Sequence, residues 1–288
     1  MMKDSAAALR AGAMLKSASA NGRSAMGVHR GSVRTVAGRP HPDLRLLALP
    51  HSGGRAEGFT AWRPLLPAVF PGIALELCAA QYPGHGDRVA EPPLTEVGAI
   101  ADEIVAALTG MAPADLVLFG HSFGSAVACE VARRCPAAGI DVVLLVASSA
   151  WAPGDPARPP RDEHLLPDEE LWQRLIALGG IDPGIAAEVE MRDLVLPALR
   201  ASIAAHERYL ACPDPVPLGC DVHACMARGD PLVPAGAGRY WSRVTTGRTS
   251  VGIRSGAHFH AYDDPAPLLA DLARRVPAYA KGGRTTHE

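Results

Sequence analysis

Six short runs dominated by apolar residues punctuate the chain from Leu44 onward, at 44–49, 73–80, 116–119, 142–146, 222–227 and 250–253. Runs of this length suit strands buried on both faces of a sheet, where each side chain meets a covering layer. Elsewhere apolar residues return at helical spacing. Val97, Ile100, Ile104 and Leu108 form one stripe, and Phe123, Val127 and Val131 form another. That period puts the stripe on one face, so these segments read as helices packed on the sheet. Strands alternating with helices predict an α/β architecture with a mostly parallel sheet.

Two segments break the rhythm. Residues 151–212 open on Pro153, Pro156, Pro159 and Pro160 and continue into Asp168-Glu169-Glu170, an acidic first turn suited to the positive end of a helix. Leu171, Leu175 and Leu178 follow before Gly179-Gly180 stops the helix. Leu196, Leu199, Ile203 and His206 mark another helix, with Pro197 as its bend. Some 60 helical residues between two core strands are expected to form a lid over a pocket; the plainer reading is a structural subdomain. Residues 1–40 are rich in Ala, Ser, Gly and Arg and offer too little burial to offset their ordering entropy, so a disordered leader is expected there. The expected organisation is a leader at 1–40, a core at 41–150, the lid at 151–212 and the rest of the core at 213–282.

Composition narrows the class. A chain of 288 residues that is 48% hydrophobic can bury a sizeable core. No apolar run reaches the roughly 18 residues that span a bilayer, and the start lacks a secretory pattern, so a cytoplasmic protein without a membrane partner is expected. The net charge of −2 divides unevenly: seven Lys/Arg against one acid in residues 1–40 give +6, and 21 against 29 in the remainder give −8. An acidic body argues against a nucleic-acid surface. The six cysteines include no CxxC pair, which speaks against a zinc site or a disulfide framework and for buried thiols in a reducing compartment.

The chemistry gathers behind the strands. The 116–119 run leads into Gly120-His121-Ser122-Phe123-Gly124, and a helix leads out. Strand, G-x-S-x-G and helix make the sharp turn that lifts a serine above the sheet, with small residues flanking it because the turn leaves no room. In the α/β-hydrolase fold the order is serine, acid, histidine, and Ser122, Asp230 and His258 follow it, 108 and 28 residues apart. Each stands just past an expected strand, so all three should meet at one edge of the sheet. His260 is the rival base. Pro50-His51-Ser52-Gly53-Gly54 ends the first strand and can turn backbone amides outward. The amide of Ser52, with His51 next, and that of Phe123 are the candidate oxyanion donors. His85 and Asp87 lie too close together on one loop to serve as a catalytic pair, and a structural neighbourhood of Asp87 and Arg88 is the better reading.

Together, Pro50–Gly54, Gly120–Gly124, Gly229-Asp230-Pro231 and Gly256-Ala257-His258-Phe259 resemble a type II thioesterase, the stand-alone enzyme that accompanies polyketide synthases and nonribosomal peptide synthetases. Leu165–Leu171, Leu178-Gly179-Gly180 and Leu196–Ala201 resemble the same family. The resemblance implies a serine enzyme without a cofactor or metal that hydrolyses acyl groups from the phosphopantetheine thiol of acyl or peptidyl carrier proteins. It implies editing or precursor release. An esterase or lactonase on free small molecules and an acyltransferase would use the same triad; a non-catalytic carrier-binding module would not need one. Three features depart from the family pattern: the first 40 residues have no counterpart in it, His85-Gly86 stands where Arg-Glu is usual, and Ser202 stands where an acid usually follows Arg200-Ala201.

Overall fold

The structure, a computed structural model, describes residues 29–181, 183–186, 188–212 and 216–276. Eight strands form one sheet: β1 (His29–Arg30), β2 (Val33–Ala37), β3 (Leu44–Leu49), β4 (Leu75–Ala80), β5 (Asp115–His121), β6 (Val142–Ser148), β7 (Asp221–Ala227) and β8 (Thr249–Arg254). Their order is β1-β2-β4-β3-β5-β6-β7-β8. The pairs from β4 to β8 are parallel, and β2 joins β4 antiparallel. The sheet therefore begins at residue 29, which corrects the expected leader of 1–40 at its C-terminal end; residues 1–28 lie outside the described residues. Val33 and Val36 are buried in the core, and Arg34 reaches Asp87 at 3.1 Å. Among 40 mostly polar and small residues, this five-residue strand with three β-branched positions left no visible mark on the sequence.

The apolar runs behave as sequence physics requires. In β5, Leu116 and Leu118 face one layer while Val117 and Phe119 face the other, and in β6 Leu145 and Ala147 oppose Leu144 and Val146. Side chains alternate across a strand, so a sheet covered on both faces needs apolar residues at every position. Helices α1 (Val97–Thr109) and α2 (Phe123–Arg134) cover one face. The other is covered by a 3₁₀ helix at Ala56–Leu65, which the sequence had not announced, and by α5 (Ala266–Arg275). On that second face Trp62 packs edge-on against Phe59 and Phe119, at 5.0 and 4.9 Å between ring centroids. Its Nε1 donates to the Ala261 carbonyl at 3.1 Å and ties the loop after β8 to the core. Helix α5 starts one residue later than Asp264-Pro265 suggests, with Pro265 as the cap residue.

The inserted segment lies between β6 and β7, as expected. Its main helices are α3 (Asp168–Ala177) and α4 (Val189–Leu210), and the latter carries Pro197 within it. Leu171, Trp172, Leu196 and Leu199 form a separate small core between them. Among the described residues no helix is long and apolar enough to cross a membrane. All six cysteines are free, and five are buried. Burial pushes the thiols of Cys78, Cys129 and Cys135 up to about 12.

Helix α2 approaches β3 so closely that a side chain on Gly124 would fall onto the carbonyl of Leu49, and one on Gly120 onto the carbonyl of Gly124. Gly124→Ala should therefore push α2 off the sheet at a cost of about 3 kcal/mol, or a melting point lower by roughly 10 °C. A thermal melt of the variant within about 2 °C of the wild type would show that this approach is not as tight as described.

Candidate active site

Parallel register sets the site. Leu49 pairs with Gly120, His121 with Ser148 and Ser148 with Cys225, so β3, β5, β6 and β7 finish side by side. Ligands of such sheets bind beyond this carboxyl edge. Here the edge carries the 50–54 loop, Ser122, Ser149, Asp230 and His258. Ser122 has φ 53° and ψ −118°, a conformation that L-residues avoid, and its amide donates to the Ser148 carbonyl at 2.8 Å. The strained turn is held from outside by that bond and by the glycine contacts on either side. Ser149, also at positive φ (47°), buried and lining the site, carried no signal in the sequence.

His258 and Asp230 meet as the spacing suggested. The Nδ1–H of His258 donates to Asp230 Oδ2 at 2.9 Å, and both side chains are almost fully shielded. Asp230 Oδ1 accepts from the amides of Leu232 (2.8 Å) and Val233 (3.1 Å). Burial raises the Asp230 carboxyl, but the hydrogen bond and charge of His258 and the Leu232 amide outweigh it and hold the group below its ordinary value. With Nδ1–H committed to the carboxylate, Nε2 of His258 is the free acceptor of the ring. Ser122, Ser52 and His258 line one cavity of about 500 Å³. Among the described residues the amides of Phe123 and Ser52 donate to no other group.

His260 lies elsewhere. Its Nε2 stands 3.1 Å from Ser148 Oγ, which in turn stands 3.1 Å from His121 Nδ1, and all three groups are buried. Burial, then the charge of Arg254, pushes His260 down to about 4. His51 packs against Phe259 at 4.8 Å and is lowered to about 3 by burial and by His258. The carboxyl edge of the sheet thus rests on a bed of neutral imidazoles.

The 83–88 loop is structural, although its ion pairs differ from the expected neighbourhood. Asp87 pairs with Arg34, while Arg88 pairs with Glu91 (2.6 Å) and Glu103 (3.0 Å). Two of the departures from the family pattern meet in space: Ser202 Oγ on α4 lies 3.3 Å from Nε2 of buried His85. A neutral contact therefore joins the inserted helix to the core loop.

The insertion roofs the cavity with Leu171, Leu175, Leu178, Ile203 and Leu210. Arg158, Arg161 and Glu207 supply its polar side, where Arg158 Nη1 meets Glu207 at 2.7 Å. The sequence does not mark these three, since nothing in the Pro-rich opening or in the α4 pattern distinguishes a wall residue from a surface one. The arrangement offers a hydroxyl on a strained turn, an oriented imidazole, two free amides and an apolar chamber. These are the parts of nucleophilic acyl transfer.

Comparison with known proteins agrees. The family model for the thioesterase domain matches residues 44–276. The thioesterase PikA5 of Streptomyces venezuelae is 35% identical over 237 residues, covering 81% of each chain. The gramicidin S biosynthesis protein GrsT of Aneurinibacillus migulanus is 29% identical over 234 residues, 81% of this chain and 89% of that one. The solved structure of the type II thioesterase BorB from the borrelidin biosynthetic cluster superposes with a TM-score of 0.74 at 32% identity, over 87% of this chain and all of that one. On the matched domain and this fold, the chain belongs to the thioesterase family and is a thioester hydrolase built on the α/β-hydrolase scaffold.

Proposed function

We propose that this chain hydrolyses acyl groups from the phosphopantetheine thiol of carrier proteins in polyketide or nonribosomal peptide biosynthesis, with Ser122 as nucleophile, His258 as base and Asp230 as its orienting acid. The observation that carries the assignment is the 2.9 Å bond from His258 to Asp230 beside a cavity that Ser122 also lines. Nε2 of His258 takes the Ser122 proton as Oγ attacks the thioester carbonyl. The amides of Phe123 and Ser52 hold the resulting oxyanion. Collapse breaks the carbon–sulfur bond, and His258 returns the proton to the departing thiol. Water, deprotonated by the same imidazole, then releases the acid and restores Ser122. Every proton and electron pair is handled by these groups, so the reaction asks for no cofactor or metal. A relative named for gramicidin S biosynthesis and a type II thioesterase from the borrelidin biosynthetic cluster support the choice of carrier-bound substrates. Six free thiols suit the reducing cytoplasm.

Intact-protein mass spectrometry of an acyl-loaded carrier protein, run beside an acyl-cysteamine thioester and a small acyl ester, tests this. The acyl mass should leave the carrier faster than either free compound is cleaved. A carrier that stays loaded beside a quickly cleaved ester would assign the site to free small molecules. Transfer to an added amine or alcohol in place of water would make it an acyltransferase.

A further inference from the structure

Three polar residues of the cavity, His51, Ser149 and His206, carry a buried atom without a hydrogen-bond partner, and of these His206 alone belongs to the inserted segment. It is carried by α4 and lines the same chamber as Ser122 and His258. Its ring meets that of Phe123, the residue after Ser122, edge-on at 5.7 Å between centroids. Its Nε2 is shielded and has no hydrogen-bond partner. The neighbouring arginines are engaged already: Arg158 on Glu207, and Arg161 Nη2 on the Leu232 carbonyl at 2.9 Å. Burial, with the positive charges of Arg158, His258 and Arg161, lowers the imidazole to about 3, so it meets a ligand neutral.

An unpartnered buried nitrogen forfeits roughly 1–3 kcal/mol. An apolar side chain would cover Phe123 without that penalty. The cost disappears when a bound molecule supplies an oxygen, because a neutral imidazole nitrogen donates or accepts according to its tautomer. Contact with Phe123 puts the ring near the first carbons of an acyl chain on Ser122. The tail would run among Leu171, Leu175, Leu178 and Leu210, which offer no polar group.

We infer that His206 is a specificity-determining residue that hydrogen-bonds an oxygen on carbon 3 of the acyl group, so that 3-hydroxyacyl and 3-oxoacyl thioesters are preferred to saturated ones of equal length. This rests on the acyl-serine reading above. The test compares 3-hydroxyoctanoyl, 3-oxooctanoyl and octanoyl cysteamine thioesters on wild type, His206→Leu and His206→Gln. The wild type should favour the oxygenated chains about ten-fold in kcat/KM. His206→Leu should bring the ratio near one, and His206→Gln, which keeps a hydrogen-bonding group, should retain part of it. A wild-type ratio near one, or the same ratio in His206→Leu, overturns the inference even while thioesters are cleaved, and the wild-type ratio does so whether or not the Leu variant folds. Failure of the wild type to cleave any thioester, carrier-bound or free, would instead sink the acyl-serine reading, and this one with it.

Discussion

Replacing Ser122 by Ala is expected to lower kcat on an acyl-carrier thioester by about 10⁴-fold or more, with little change in melting temperature. The reasoning starts from the turn. Its strain is held by the Ser122 amide on the Ser148 carbonyl and by the close glycine contacts, none of which involves the hydroxyl. Alanine keeps these and removes only Oγ. Asp230→Asn should cost a similar factor by a different route. The Asn carbonyl would keep the bonds from the Leu232 and Val233 amides, which turns its NH₂ toward His258. Nδ1 must then accept, the ring proton moves to Nε2, and the base can no longer take a proton from Ser122. Single-turnover mass spectrometry separates the two, since only the Asn variant should still accumulate acyl-enzyme, slowly. Residual turnover above about 1% in Ser122→Ala would give the nucleophile's role to another group.

Acid should unfold this protein early and steeply. His51, His121, His206 and His260 are all held neutral in the folded state by burial first and by neighbouring positive groups second; His51 and His206 are lowered to about 3 and His260 to about 4. In the unfolded chain each titrates near about 6.5. Depressed folded values mean that the stability they represent is complete above that pH and is lost as pH falls toward 4. Near pH 5 these four imidazoles alone hold about four more protons in the unfolded chain than in the native one, a slope on the order of 5 kcal/mol per pH unit. Domains of ordinary stability, about 5–15 kcal/mol, cannot absorb much of that. Tryptophan fluorescence and circular dichroism should show the melting point falling from about pH 6.5 downward, with cooperative loss of structure between about pH 4 and 5.5. An unchanged melting point between pH 7 and pH 5 would mean that the histidines charge without unfolding the site.

The sequence made the site more legible than the chain's ends. Ser122, Asp230 and His258 each follow a strand, and strand ends are where apolar periodicity stops abruptly, so position and chemistry reinforced one another. Parallel register then brought them to one edge without further information. The sequence preferred His258 to its rival His260, one residue further on, and the packing of Ser148 and His121 supplies the physical reason: one imidazole faces the carboxylate and the other is sealed beneath it. Strands β1 and β2 were hidden for a different reason. A five-residue strand at a sheet edge depends on the partner it finds in β4, and nothing local distinguishes it from a loop with two valines. The departures at His85 and Ser202 were visible as isolated oddities; their 3.3 Å contact makes them one feature.

The distribution of thiols has a practical consequence. Five of the six cysteines are sealed in the interior with their sulfurs protonated, while Cys212 is exposed two residues beyond the last turn of α4, the helix that carries His206 and Ser202. A maleimide fluorophore or spin label should therefore attach at one place without any engineering, on the element that roofs the chamber. That turns movement of the roof during turnover into an optical or magnetic signal recorded from the native chain.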